Sequence, residues 1–337
     1  MKIHGPTLRV GLLAVVVFGV AFAAVDALKD VSTIKSQAAL GTLANCQAYK
    51  GLPFGWGKAK RAGMIRIPGG EFQLGSERGY ADERPVQTTK MDSFWIDRTE
   101  VSNAQFAAFV AATKYVTDAE KSGGSAVFLM PDAADGNIKE GSWWHLIKDA
   151  DWRHLEGAGS DINGREHEPV VNVSYADALA YAHWLGRELP TEAQWEYAAK
   201  GGRNNEQSDH SLRDAKGHPL ANFWQGLFPI SNSDEDGFPG RAPVGCFGAN
   251  PYGLHDMVGN VWEWTADVYS ERRGEAVNLG DQLTAIPARG TAPKQVIKGG
   301  SYLCSADYCV RARASSRQPQ ESDLPASHLG FRTISKG

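Results

Sequence analysis

Cys304 and Cys309 lie five positions apart in the stretch Gly299-Gly300-Ser301-Tyr302-Leu303-Cys304-Ser305-Ala306-Asp307-Tyr308-Cys309, and they are two of four cysteines in a chain of 337 residues. Two thiols this close have three chemical uses. They can close a structural disulfide, which an exported protein favours. They can cycle as a redox dithiol, although the spacing differs from the Cys-x-x-Cys of thioredoxin-like motifs. They can also seat a soft metal such as Cu(I) between two thiolates. Zinc wants four ligands, and no second cysteine pair supplies them. Cys46 and Cys246 stand far apart, and a bridge between them is left open by the sequence. The nine histidines do not cluster at metal-ligand spacing. HExxH, Walker, nucleophile-elbow and dinucleotide-binding signatures are absent, which argues against common hydrolase and nucleotide chemistries.

The elements that must hold such a site are short. Ser102 with Gln105, Ser174 with Asp177 and Thr191 with Gln194 each spell a capping box ahead of apolar residues at helical spacing, and Gly201-Gly202 ends the third helix. Phe94 to Val101 alternates as a half-buried strand does. Met64 to Gly75 reads as two extended runs around Pro68-Gly69-Gly70, which predicts a hairpin. The connection from Tyr115 to Val171 is long but carries Trp143, Trp144 and Trp152, so it is expected to pack. The last third reads as loops, rich in Gly, Asn and Asp, whose backbone carbonyls need partners, and a hard cation is one.

Composition bounds the partners. The net charge of -4 with scattered Lys and Arg offers no field for a nucleic acid. Lys2 and Arg9 precede the apolar run Val10 to Val25, the order of an export signal or a signal anchor. Residues 1–28 are therefore read as signal peptide or anchor, 29–62 as a tether and 63–335 as one domain. The domain is expected outside the cytoplasm, in the periplasm or its equivalent, with residues 8–28 as its membrane contact.

Lys298 to Cys309, continuing through Arg311, Arg313, Arg317-Gln318 and Ser327-His328-Leu329-Gly330-Phe331-Arg332, resembles the active-site region of the formylglycine-generating enzymes, the sulfatase-modifying family. The likeness runs from about Gly63 to Ile334. It includes Ile67-Pro68-Gly69-Gly70, Val173 to Ala178, Leu189 to Tyr197 and Asn260-Val261-Trp262-Glu263-Trp264. The resemblance implies a single α+β domain, related to C-type lectins and low in regular secondary structure. It implies an oxidoreductase that converts a sulfatase cysteine, in a Cys-x-Pro-x-Arg context, to Cα-formylglycine with O2. Cys304 and Cys309 would hold Cu(I), and Ser301 would assist oxygen. Asn222, the Phe223 carbonyl, Asp236 and the Phe238 carbonyl would hold one structural Ca2+; Asp256, Gly259, Val261 and Glu263 would hold a second. The paired glycines would let a peptide lie against the backbone.

The chain departs from the family pattern at Ala312, where many members have Tyr, at Ala314-Ser315, and at Asp256, where Asn is frequent. Two other readings stand beside the oxidase of sulfatases. One is a binding module for peptide or sugar with Cys304 and Cys309 bridged. The other is a related oxidase that matures a different secreted substrate.

Overall fold

The computed structural model describes residue 1 and residues 40–134, 138–204, 212–273 and 292–337. The apolar segment at residues 8–28 lies outside the described residues, among which no helix is long and apolar enough to cross a membrane. From Leu40 to Gly337 the chain forms one unit.

The stretch read as a tether joins that unit earlier than expected. Helix α1 (Leu43–Ala48) is capped by Thr42, and its Cys46 is bridged to Cys246. The Ser102 hydroxyl donates to the Gly51 carbonyl, and the Arg187 guanidinium donates to the carbonyls of Lys60 and Ala62. Residues 40–62 thus have specific partners in the domain.

The first two runs do not pair with each other. Strand β1 (Met64–Ile67) and strand β2 (Gly70–Leu74) are followed by β3 (Gln87–Met91) and β4 (Phe94–Asp97). β1 pairs with β4, and β2 pairs with β3. The first pairing lets Ile67, Phe94 and Ile96 share one core with Trp195, so burial and not proximity chooses the partner.

The three capping boxes close as the sequence predicts. They open α2 (Asn103–Thr113), α4 (Tyr175–Trp184) and α5 (Glu192–Lys200), and Gly201 ends α5 in the left-handed conformation. Phe106 of α2 and Tyr181 of α4 meet Phe331, with ring centroids 6.4 and 5.3 Å from it. This cluster also takes in Trp152, Trp262, Trp264 and Cys304, so the first thiol of the pair is a core residue.

The connection after α2 packs and has structure of its own: helix α3 (Asp118–Ser122), then a hairpin of β5 (Gly124–Phe128) and β6 (Trp144–Lys148). Trp143 and Trp152 are buried. The last third is more regular than its sequence suggests. Strands β7 (Trp262–Val268), β8 (Lys294–Lys298), β9 (Arg317–Glu321) and β10 (Leu329–Gly330) form a sheet in the order β10-β7-β8-β9, and β11 (Ile334–Lys336) joins β4. The thiol stretch leaves this sheet directly after β8.

Candidate active site

Gly299 and Gly300 turn the chain off β8 with φ of 98° and 78°, a region that L side chains rarely adopt. A Cβ at Gly300 would come 2.6 Å from the Ala312 Cα, and one at Gly299 3.1 Å from the Trp195 ring. These glycines serve close packing inside the protein, not the approach of a peptide. Neighbouring loops pin the thiol stretch along its length. Gly259 N–H donates to the Gly299 carbonyl at 3.0 Å, Tyr302 N–H to the Asn260 carbonyl at 2.9 Å, and Trp224 N–H to the Cys304 carbonyl at 2.9 Å.

The loop brings the two sulfurs to 3.1 Å without a covalent bond, and both cysteines are free thiols. Burial, and then the neighbouring Cys309, push the Cys304 thiol well up. Cys309 moves the other way, chiefly through its hydrogen bond with the Cys304 sulfur, with Arg311 and Arg313 adding positive charge nearby. Of the two thiols, Cys309 is thus the readier to give up its proton. Ser301 is buried, and its Oγ accepts from Leu303 N–H at 3.3 Å.

A cavity of about 260 Å³ opens over the thiols. Trp143, Trp144, Trp262, Phe228 and Tyr308 give it aromatic walls, with Ser301, His328, Arg311, Gln318 and Glu140 as polar groups. Tyr308 stacks on Phe228 at 4.6 Å, and Arg311 lies over Tyr80 at 3.7 Å and pairs with Asp82 at 3.3 Å. Arg313 is held by Glu83 at 2.5 Å. The walls thus come from the β5–β6 hairpin, Tyr80, the 222–238 segment, the β7–β10 sheet and the thiol loop. The aromatic residues of this pocket are conspicuous in the sequence, but no spacing rule groups residues that come together from such distant segments.

The donor set at the thiols fits a soft monovalent metal: two sulfurs side by side, and no cluster of three or more His, Cys, Asp or Glu around a metal position among the described residues. Three residues of the first calcium set, Asn222, Phe223 and Asp236, lie in one hydrogen-bonded loop. The Asn222 Oδ1 is buried without a hydrogen-bond partner among the described residues, as an oxygen reserved for a cation would be. Asp236 accepts from Phe223 N–H at 3.2 Å and Phe238 N–H at 2.9 Å, and the Gln225 amide bridges Asp236 and the Phe223 carbonyl. The Gln225 amide thus sits between Asp236 and the Phe223 carbonyl, and the Asn222 Oδ1 is the oxygen of the set left without a partner.

In the second calcium set the carboxylates are engaged by other groups of the protein. Both Glu263 oxygens are already taken, by Arg332 in a two-point pair at 2.7 Å and by Trp195 Nε1 at 2.7 Å. Asp256 accepts from Gly245 N–H at 2.5 Å, Gly259 packs so close to the Asn222 carbonyl that no Cβ would fit there, and Val261 is buried in the core. Glu100, which sequence reasoning missed, lies beside Asp256 with its Oε2 buried and unpartnered among the described residues.

Known proteins point the same way. The profile of the sulfatase-modifying factor enzyme 1-like domain matches residues 51–336. The protein named formylglycine-generating enzyme in Thermomonospora curvata is 45% identical over 282 residues, covering 80% of this chain and 92% of that one. Its namesake in Mycobacterium tuberculosis is 41% identical, covering 80% and 97%. A Bos taurus relative named inactive Cα-formylglycine-generating enzyme 2 is 37% identical, covering 83% and 90%. Among solved structures, PvdO from Pseudomonas aeruginosa has a TM-score of 0.53 at 21% identity, covering 83% of this chain and 96% of that one, and shares the fold. The chain belongs to the sulfatase-modifying factor enzyme 1-like family.

Proposed function

We propose that this protein converts a cysteine of a sulfatase polypeptide to Cα-formylglycine, using O2 and Cu(I) held by Cys304 and Cys309. The observation that carries the reading is the unbridged thiol pair, 3.1 Å apart at the floor of an aromatic pocket. Family membership alone does not decide activity, since relatives named active and inactive both match. The pair does.

Cu(I) held by Cys304 and Cys309 would supply one-electron chemistry with O2 beside the target thiol. The chain does the rest. Both thiols would give up their protons to hold the metal, Cys309 the more readily. Trp143, Trp144, Trp262 and Phe228 exclude water around the target side chain. Ser301 supplies a hydroxyl beside the sulfurs for oxygen or its reduced products. The target cysteine gives up two protons, one from sulfur and one from Cβ, together with two electrons, all of which oxygen takes up; water then replaces sulfur, and hydrogen sulfide leaves.

The first calcium set holds segment 222–238, whose Trp224 N–H fixes the Cys304 carbonyl, so calcium there would stiffen the thiol loop. The Cys46–Cys246 bridge supports an oxidising compartment, consistent with export and with residues 8–28 as signal or anchor. The test is aerobic incubation of the Cu(I)-loaded full-length chain with a Cys-x-Pro-x-Arg peptide and mass spectrometry of the product. Aldehyde should form with wild type and vanish with Cys304→Ser and Cys309→Ser. Equal activity of either variant would overturn the assignment.

A further inference from the structure

His328 lines the thiol pocket, yet neither the copper seat nor the calcium sets use it. It is 7% exposed, its carbonyl accepts from Trp262 N–H at 2.8 Å, and its ring packs on Trp144 with centroids 4.6 Å apart. Nδ1 is buried and has no hydrogen-bond partner among the described residues. Burial holds the ring far below its ordinary range, at about 3, so the imidazole is neutral near pH 7.

A neutral imidazole carries one proton, and its place follows from the surroundings. On Nδ1 it would make a buried donor with no acceptor, which is rarer and costlier than a buried lone pair. The proton is therefore assigned to Nε2, the nitrogen left to face the cavity. An incoming polypeptide brings main-chain carbonyls that lose water against the tryptophan walls and need a donor. Arg311 is committed to Asp82 and to the Arg317 carbonyl, whereas His328 has no such commitment.

We propose that His328 is a substrate-binding residue that donates a hydrogen bond from Nε2 to a main-chain carbonyl of the polypeptide, setting how far the target cysteine reaches toward the sulfurs. This rests on the reading that the pocket takes a polypeptide cysteine.

The experiment uses the full-length chain in detergent and peptides in which each amide oxygen near the cysteine is replaced in turn by sulfur, a weaker acceptor. In wild type one such replacement should raise KM about tenfold with kcat little changed, the size of one hydrogen bond. His328→Phe keeps the stacking but not the donor; it should show the same rise with the parent peptide and no further loss with that thioamide. His328→Asn retains an N–H and should recover most of the affinity, which guards against a folding defect. Metal-free protein and a peptide with serine in place of cysteine, followed by fluorescence anisotropy, should give the same ranking. Equal affinity of wild type and His328→Phe overturns the proposal, as does a loss of Cu(I) affinity in His328→Phe with peptide affinity intact. If wild type yields no aldehyde, the proposed function fails, and the anisotropy ranking still decides the role of His328.

Discussion

At the scale of residues, the same side-chain types carry opposite meanings depending on what their atoms already hold. The resemblance makes calcium ligands of both Asn222 and Glu263, yet Asn222 keeps an unused oxygen and Glu263 has none left. That difference yields a prediction. Calcium in excess should raise the thermal midpoint of wild type relative to chelator, by about 2.7 kcal/mol of stability at a hundredfold over Kd. Asn222→Ala and Asp236→Ala should shrink the rise. No calcium response in wild type would remove the first site. The thiols are legible in the sequence because cysteine is rare and few chemistries use two of them. His328 stands in a motif of the family and gives no sign there of its own role, because an unpaired Nδ1 exists only once the fold has buried the ring against Trp144.

At the scale of elements, local signals read well and long-range ones do not. Capping boxes are four-residue devices, and all three close as predicted. The sheet of β7 to β10 reads as loops in the sequence because its strands bury charge. Lys298 and Arg317, opposite each other on β8 and β9, break any apolar alternation, and they are buried because Glu192 and Glu196 of α5 meet them. Burial would raise the Glu196 carboxyl, but Lys298, Lys200 and Arg273 override it and hold it down at about 2. Its folded value is thus below its ordinary 4.5, so its contribution is complete above pH 4.5 and is lost as pH falls toward 2. Glu196→Gln leaves buried cations uncompensated and should cost about 3–5 kcal/mol at neutral pH, measured by denaturant unfolding. The variant should also lose the wild type's stability change between those two pH values. A cost below about 1 kcal/mol would mean the network is not holding β8, and with it the root of the thiol loop.

At the scale of the whole molecule, the Cys46–Cys246 bridge joins helix α1 to the 242–247 segment, 200 residues away in sequence. Closing a loop of that length removes much disorder from the unfolded chain. Cys46→Ser should lower stability by about 2–5 kcal/mol, and its titrated thiols should rise from two to three as Cys246 joins Cys304 and Cys309. A variant as stable as wild type would assign the bridge no structural weight. The same arrangement sets an order of events when the chain first meets oxidant. Thiols five positions apart find each other far sooner than thiols 200 apart, since closure slows with loop length. Four cysteines allow three pairings, and the fastest ring to form is the one the working site must keep open. A chain newly exposed to oxidant would then pass through a closed Cys304–Cys309 ring that a reductant must reopen. Maturation of this protein would itself depend on thiol exchange before it could act on another protein's cysteine.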